Sequence, residues 1–133
     1  MDEIEKFPRR SRKISRTFAT TVTSTRCRVY GSHHTHAHVL AELHAYAPLV
    51  SVSSYCVVFD TLIEQLPDHL NDQRPWGVND NPITAVATFL ASLSERPMKV
   101  VDGKALRFEI DDSIDSKLLI SAAPCGYLRR AEV

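Results

Sequence analysis

Two groups of residues in this sequence have types and spacings that could do chemistry. The first is a run of histidines. His34, His38 and Glu42 stand at i, i+4 and i+8, with His33, His36 and His44 beside them. On one helix these three would share a face. Two imidazoles one turn apart suit Zn²⁺ or Ni²⁺, which would make the segment a small histidine-cluster metal-binding module. The plainer alternative is a polar helix start facing solvent or a cleft. Near the positive end of a helix dipole an imidazole is favoured in its neutral form, the form that a general base needs, and His34 is the candidate for that role.

The second group follows a short apolar run, Tyr55-Cys56-Val57-Val58-Phe59, which ends at Asp60-Thr61. Ligands of open α/β sheets gather beyond the carboxyl ends of the strands, so Asp60 is the carboxylate best placed for catalysis or for a metal. Mg²⁺ takes oxygen ligands and keeps several waters, so Asp60 needs a second donor. Glu64, one turn on, is either that donor or surface, and Asp60 itself is equally well read as a turn cap. Trp76 lies in a loop rich in Pro and Gly, where it lines a substrate pocket or covers the core. A facial triad of His34, His38 and Asp60 is a further arrangement, ranked last.

Other signals are weak. Cys27, Cys56 and Cys125 form no CxxC pair, which argues for reduced thiols in a cytosolic protein. Asp111, Asp112 and Asp115 lack the glycine and terminal glutamate of a calcium loop and read as a charged turn. Neither a GxSxG elbow nor a phosphate-binding glycine loop occurs.

The elements that must carry these residues follow from periodicity. Val39, Leu40, Leu43, Tyr46 and Ala47 recur at helical spacing, which predicts a helix over 35–46 with Ser32 or Thr35 as N-cap and Pro48 as stop. Residues 55–59 read as a buried parallel strand. A loop spans 67–82. A second helix starts at Asp80 or Asn81 with Pro82 in its first turn, carries Ala85, Val86, Phe89, Leu90 and Leu93 inward, and ends at Pro97. Residues 106–110 alternate as a strand with one wet face. Leu118-Leu119-Ile120 reads as the next strand, extended by Gly126-Tyr127-Leu128, so that an antiparallel hairpin closes the sheet. Tyr127 reads as core.

The chain has 133 residues, enough for one α/β domain. Its net charge is zero, which makes no case for nucleic acid. Charge is uneven, however: residues 1–30 hold eight Lys/Arg against three Asp/Glu, and residues 31–133 hold eight against thirteen. Residues 1–30 read as a basic, disordered or foreign segment, and 31–133 as the folded domain. No apolar run reaches the length of a transmembrane helix, and a cytoplasmic location is expected.

Taken in order, Ser32-x-His34-x3-His38-Val39-Leu40-Ala41-Glu42-Leu43, Tyr46-Ala47-Pro48-Leu49-Val50, Val57-Val58-Phe59-Asp60-Thr61, Arg74-Pro75-Trp76-Gly77 with Asn81-Pro82, and the tail Lys117 to Arg130 resemble the cephalosporin hydroxylase family, which includes rhamnosyl O-methyltransferases. The resemblance is drawn over residues 31–130. It implies the C-terminal half of a Rossmann-like class I methyltransferase sheet that uses S-adenosylmethionine, often with Mg²⁺, to methylate a hydroxyl of a sugar, glycolipid or natural product. It implies Asp60 as a metal ligand and His34 near the cofactor and metal edge; Trp76 and His38 are the substrate-binding candidates. The family's other acidic ligand falls at Gly31, which cannot bind metal. The glycine-rich half has no counterpart in residues 1–30, so a truncated remnant, or a subunit whose sheet a partner or second copy completes, is the alternative expectation.

Overall fold

The computed structural model describes residues 27–29, 33–100 and 103–132. The expectation for residues 1–26, and the proposed cap Ser32, lie outside them. The element order is β1 (Cys27–Val29), α1 (His36–Tyr46), β2 (Tyr55–Val58), α2 (Pro82–Glu95), β3 (Phe108–Ile110), a one-turn helix α3 (Asp112–Asp115) and β4 (Tyr127–Arg130). The described strands form one mixed sheet in the order β1-β2-β4-β3. β1 and β2 are parallel, with Val29 opposite Val58, and β4 runs antiparallel to both β2 and β3. β1, β2 and β3 therefore share one direction, and the last strand is inserted between β2 and β3 against it.

Both long helices pack on one face of this sheet. α1 turns Val39 and Leu43 inward at i and i+4, and α2 turns Ala85, Val86, Phe89 and Leu93 inward. They meet Cys56, Val58, Phe108 and Leu128 in a continuous core. Burying a side chain such as Phe89 or Leu43 contributes about 1.5–3 kcal/mol relative to leaving it in water. The expected stripes hold except for Tyr46, which is exposed at the helix end. α2 begins as expected. Asn81 accepts from Ile83 N and Thr84 N, Thr84 Oγ1 accepts from Asn81 N, and Pro82 sits where no N–H is needed.

Three expectations are corrected. β2 is not buried on both faces: Cys56 and Val58 are buried while Tyr55 and Val57 are half-buried, because the described helices cover one side only. Tyr127 likewise lies on the half-covered face. Leu118-Leu119-Ile120 is not a strand. It follows α3 as a turn, and Leu119 and Ile120 are 105% and 90% exposed. The place beside β2 and β3 goes to Tyr127–Arg130, whose Leu128 enters the core at 0% exposure. A run of three apolar residues cannot compete with a strand that pairs on both sides and fills the core. The closing pair of strands is antiparallel as expected, but a long connection replaces the tight hairpin.

A boundary after residue 30 falls close behind a strand of this sheet, since β1 belongs to the same hydrogen-bonded layer as β2.

Candidate active site at the carboxyl ends of β1 and β2

Adjacent parallel strands bring their carboxyl ends to one edge, and the chemistry expected from the sequence converges there. Past β2, Asp60 turns the chain with φ 58° and ψ 25°. This left-handed conformation is one that Asp tolerates better than most side chains. Its N–H donates to Ala122 O at 2.7 Å, and the next residue, Thr61, donates its hydroxyl to Pro124 O at 2.6 Å. The turn is thus pinned to the connection before β4, and a 3₁₀ turn, Thr61–Gln65, follows.

His34 follows β1 and precedes α1. Its Nδ1 lies 3.5 Å from Asp60 Oδ2, with side-chain exposures of 23% and 43%. Both groups therefore reach solvent while touching each other. The His34 ring also stands edge-on to Trp76 at 4.6 Å between centroids, and Arg74 lies 5.5 Å from the same indole. An imidazole, a carboxylate, an indole and a guanidinium from three segments meet at one edge.

The other histidines are elsewhere. The N-cap of α1 is Thr35, so His34 precedes the helix and does not share a face with His38 and Glu42. His38 forms an i,i+4 pair with Glu42 at 3.3 Å and an edge contact with His33 at 5.9 Å. No contact joins His38 to the Asp60 group among those described. His36 serves the fold: its N–H donates to Asp80 Oδ1 at 2.6 Å, and its Nδ1 meets Thr84 Oγ1 at 2.8 Å. Asp80 therefore satisfies the start of α1 in place of the Thr35 side chain, which makes no capping bond.

No group of three His, Cys, Asp or Glu side chains among the described residues could hold a metal ion, which corrects the histidine-module and facial-triad expectations. Glu64 braces the loop that carries Trp76. Its Oε2 accepts from Asn79 N at 2.9 Å and from Asn81 Nδ2. Among the described contacts, the charged partner of the Asp60 carboxylate is the His34 imidazole. Cys125 is also a poor nucleophile: desolvation, then the charges of Asp112 and Asp115, hold its thiol above the usual range.

Comparison with known families decides the kinship. A family model described as rhamnosyl O-methyltransferase/CmcI matches residues 21–131. The chain belongs to this family. The match starts ahead of Gly31, so the kinship extends through β1, further than the residue-by-residue resemblance reached. No match was found among curated proteins, and none among solved structures. Membership of the rhamnosyl O-methyltransferase/CmcI family implies S-adenosylmethionine as methyl donor. Among the described residues no glycine-rich cradle for it is formed. Gly126 is needed because a Cβ there would collide with the Val58 carbonyl, and Gly77 and Gly103 have nothing near them. No described helix is long and apolar enough to cross a membrane.

Two residues that matter here carry little signal in the sequence. Arg74 could have been suspected from its place two residues before Trp76. The bracing of Glu64 by Asn79 and Asn81 had no sequence signal, since it joins separate loops.

Proposed function

We propose that this chain provides the acceptor side of an O-methyltransferase active site, in which His34 takes the proton of a substrate hydroxyl. The pairing of His34 Nδ1 with Asp60 Oδ2 carries this reading. A carboxylate at Nδ1 favours the tautomer with its proton there and leaves the Nε2 lone pair as base. The acceptor O–H bond breaks toward Nε2, and Asp60 stabilises the imidazolium that results. The oxygen is then the nucleophile for the methyl group that S-adenosylmethionine supplies when bound. Trp76 offers its indole to a sugar or other ring, and Arg74 sits over one face of that indole.

The acceptor class is a hydroxyl on a sugar, glycolipid or natural product. An acceptor with an apolar part is favoured by Leu118, Leu119 and Ile120, exposed on the connection whose Ala122 carbonyl binds the Asp60 N–H. The strand directions support the Rossmann-like reading, because three strands run one way and the last is inserted against them, as class I methyltransferases end. A second reading, in which a partner or second copy covers the sheet, is favoured by the half-buried Tyr55, Val57 and Tyr127.

The test is methyl transfer from labelled S-adenosylmethionine to a panel of glycosides by the full chain and by H34A. General-base removal lowers kcat by about 10²–10⁴-fold. An active H34A with wild-type kcat would sink the assignment. Equilibrium sedimentation of the same sample decides between monomer and assembly.

A further inference from the structure

The loop that carries Trp76 has no regular secondary structure, yet it stands at a defined place beside His34. Its geometry comes from a two-sided clamp. Gly77 and Asp80 exchange backbone hydrogen bonds at 3.0 and 3.1 Å, which closes a turn over Val78 and Asn79. On one side Asp80 Oδ1 holds His36 N. On the other, Asn81 Nδ2 binds Gly77 O at 2.8 Å, and one oxygen of Glu64 binds both Asn79 N and Asn81 Nδ2. Asn79 has φ 65°, a left-handed conformation that its surroundings must hold in place. Asn81 is 0% exposed; its Nδ2 joins this network while its Oδ1 caps α2.

Glu64 lies on the 3₁₀ turn that Asp60 begins. One short turn therefore presents both the carboxylate that faces His34 and the carboxylate that anchors the Trp76 loop. We propose that Glu64 is a positioning residue: by gripping Asn79 and Asn81 it sets the Trp76 indole against the His34 imidazole, at a fixed offset from Asp60. Its importance to acceptor binding rests on the reading above, but its effect on the two rings does not. The grip is made of charge-assisted hydrogen bonds, the stronger kind, and it depends on an acceptor oxygen at that position rather than on metal binding.

Trp76 is the only tryptophan, so the proposal can be read directly in the full chain. Tryptophan emission and its acrylamide quenching are measured in wild type, E64A, E64Q and E64D, together with the ring-current shift that Trp76 imposes on the His34 proton resonances, assigned with H34A and W76F. In E64A the emission moves to longer wavelength, quenching rises and the His34 ring-current shift collapses. E64Q keeps an oxygen at that position and restores all three, while E64D, one methylene short, falls between. Thermal melts check that each variant folds. If E64A fails to fold, E64D and E64Q decide: wild-type spectra in E64D, or E64A-like spectra in a folded E64Q, overturn the proposal, as do wild-type spectra in a folded E64A. A wild-type chain that transfers no methyl group would instead count against the function proposed above, and these spectra would still judge Glu64.

Discussion

The Tyr55 hydroxyl donates to Asp111 Oδ2 at 2.6 Å, which ties the first residue of β2 to the residue that follows β3. β4 lies between those strands, so the bond spans the inserted strand and locks three strands in register. Asp111 also accepts from Ser113 at the start of α3. The bond from Ser113, then that from Tyr55, holds the Asp111 carboxyl below the usual carboxylate range, and the bond to Asp111 raises the Tyr55 hydroxyl above its usual value.

The signs predict where this relationship is lost. The lowered Asp111 contributes stability that is present above the usual carboxylate pKa of about 4 and disappears as pH falls through its lower native value. The raised Tyr55 contributes stability that is present below the usual tyrosine pKa of about 10 and disappears as pH rises through its higher native value. Y55F removes the alkaline loss and weakens the acid one. Thermal melts of wild type and Y55F from pH 3 to 11 check this, and parallel curves would refute it.

Asp60 separates conformation from chemistry. Its left-handed backbone costs an ordinary side chain about 1–2 kcal/mol, whereas Asn and Gly tolerate it. D60N and D60G are therefore expected to melt close to wild type, and D60A lower by about 1 kcal/mol. All three lose the carboxylate beside His34 and, on the proposed mechanism, lose methyl transfer together. A D60N variant with full activity would remove Asp60 from the site.

Asn81 is buried and satisfies both the start of α2 and the carbonyl of Gly77. N81A strips the cap and leaves Glu64 short of a donor, at a cost of about 1–3 kcal/mol. Urea unfolding measures it. T84A, which loses one arm of the capping box, is expected to cost less.

Gly126 pairs with Val58 at the end of β2, where its carbonyl accepts Val58 N at 2.9 Å. An added methyl group would meet the Val58 carbonyl, which is backbone and cannot rotate away. G126A is expected to destabilise by about 1–3 kcal/mol, as overpacking does, and to disturb Asp60 two residues beyond Val58. A wild-type melting temperature would show that β2 and β4 can separate there at no cost.

L119S with I120S tests the apolar acceptor. Both residues are exposed, so stability should stay within about 0.5 kcal/mol. The KM for an acceptor with an apolar portion should rise, while the KM for a polar glycoside stays unchanged.

Local signals were enough for the helices and their stops. Val39 and Leu43, or Ala85, Phe89 and Leu93, state a helical face through spacing alone, and Asn81-Pro82 states a helix start, because those effects act within one or two turns. The run from Tyr55 likewise marks a strand edge at Asp60, while the histidine spacing singles out His34 and the Pro/Gly loop singles out Trp76. What the chain could not state locally depended on distant partners. Leu118-Leu119-Ile120 resembles a strand in composition, but strand formation is decided by which segment pairs with β2 and β3. His34 looked like a helix residue grouped with His38, and only the start of α1 at His36 separated them. Glu64 looked like a spare oxygen donor until Asn79 and Asn81, from another loop, took it. Spacing along the chain reports periodicity, whereas the pairing of His34 with Asp60 and of Glu64 with Asn81 is set by how β1, β2 and the Trp76 loop pack, and that is decided only when the sheet and its core assemble.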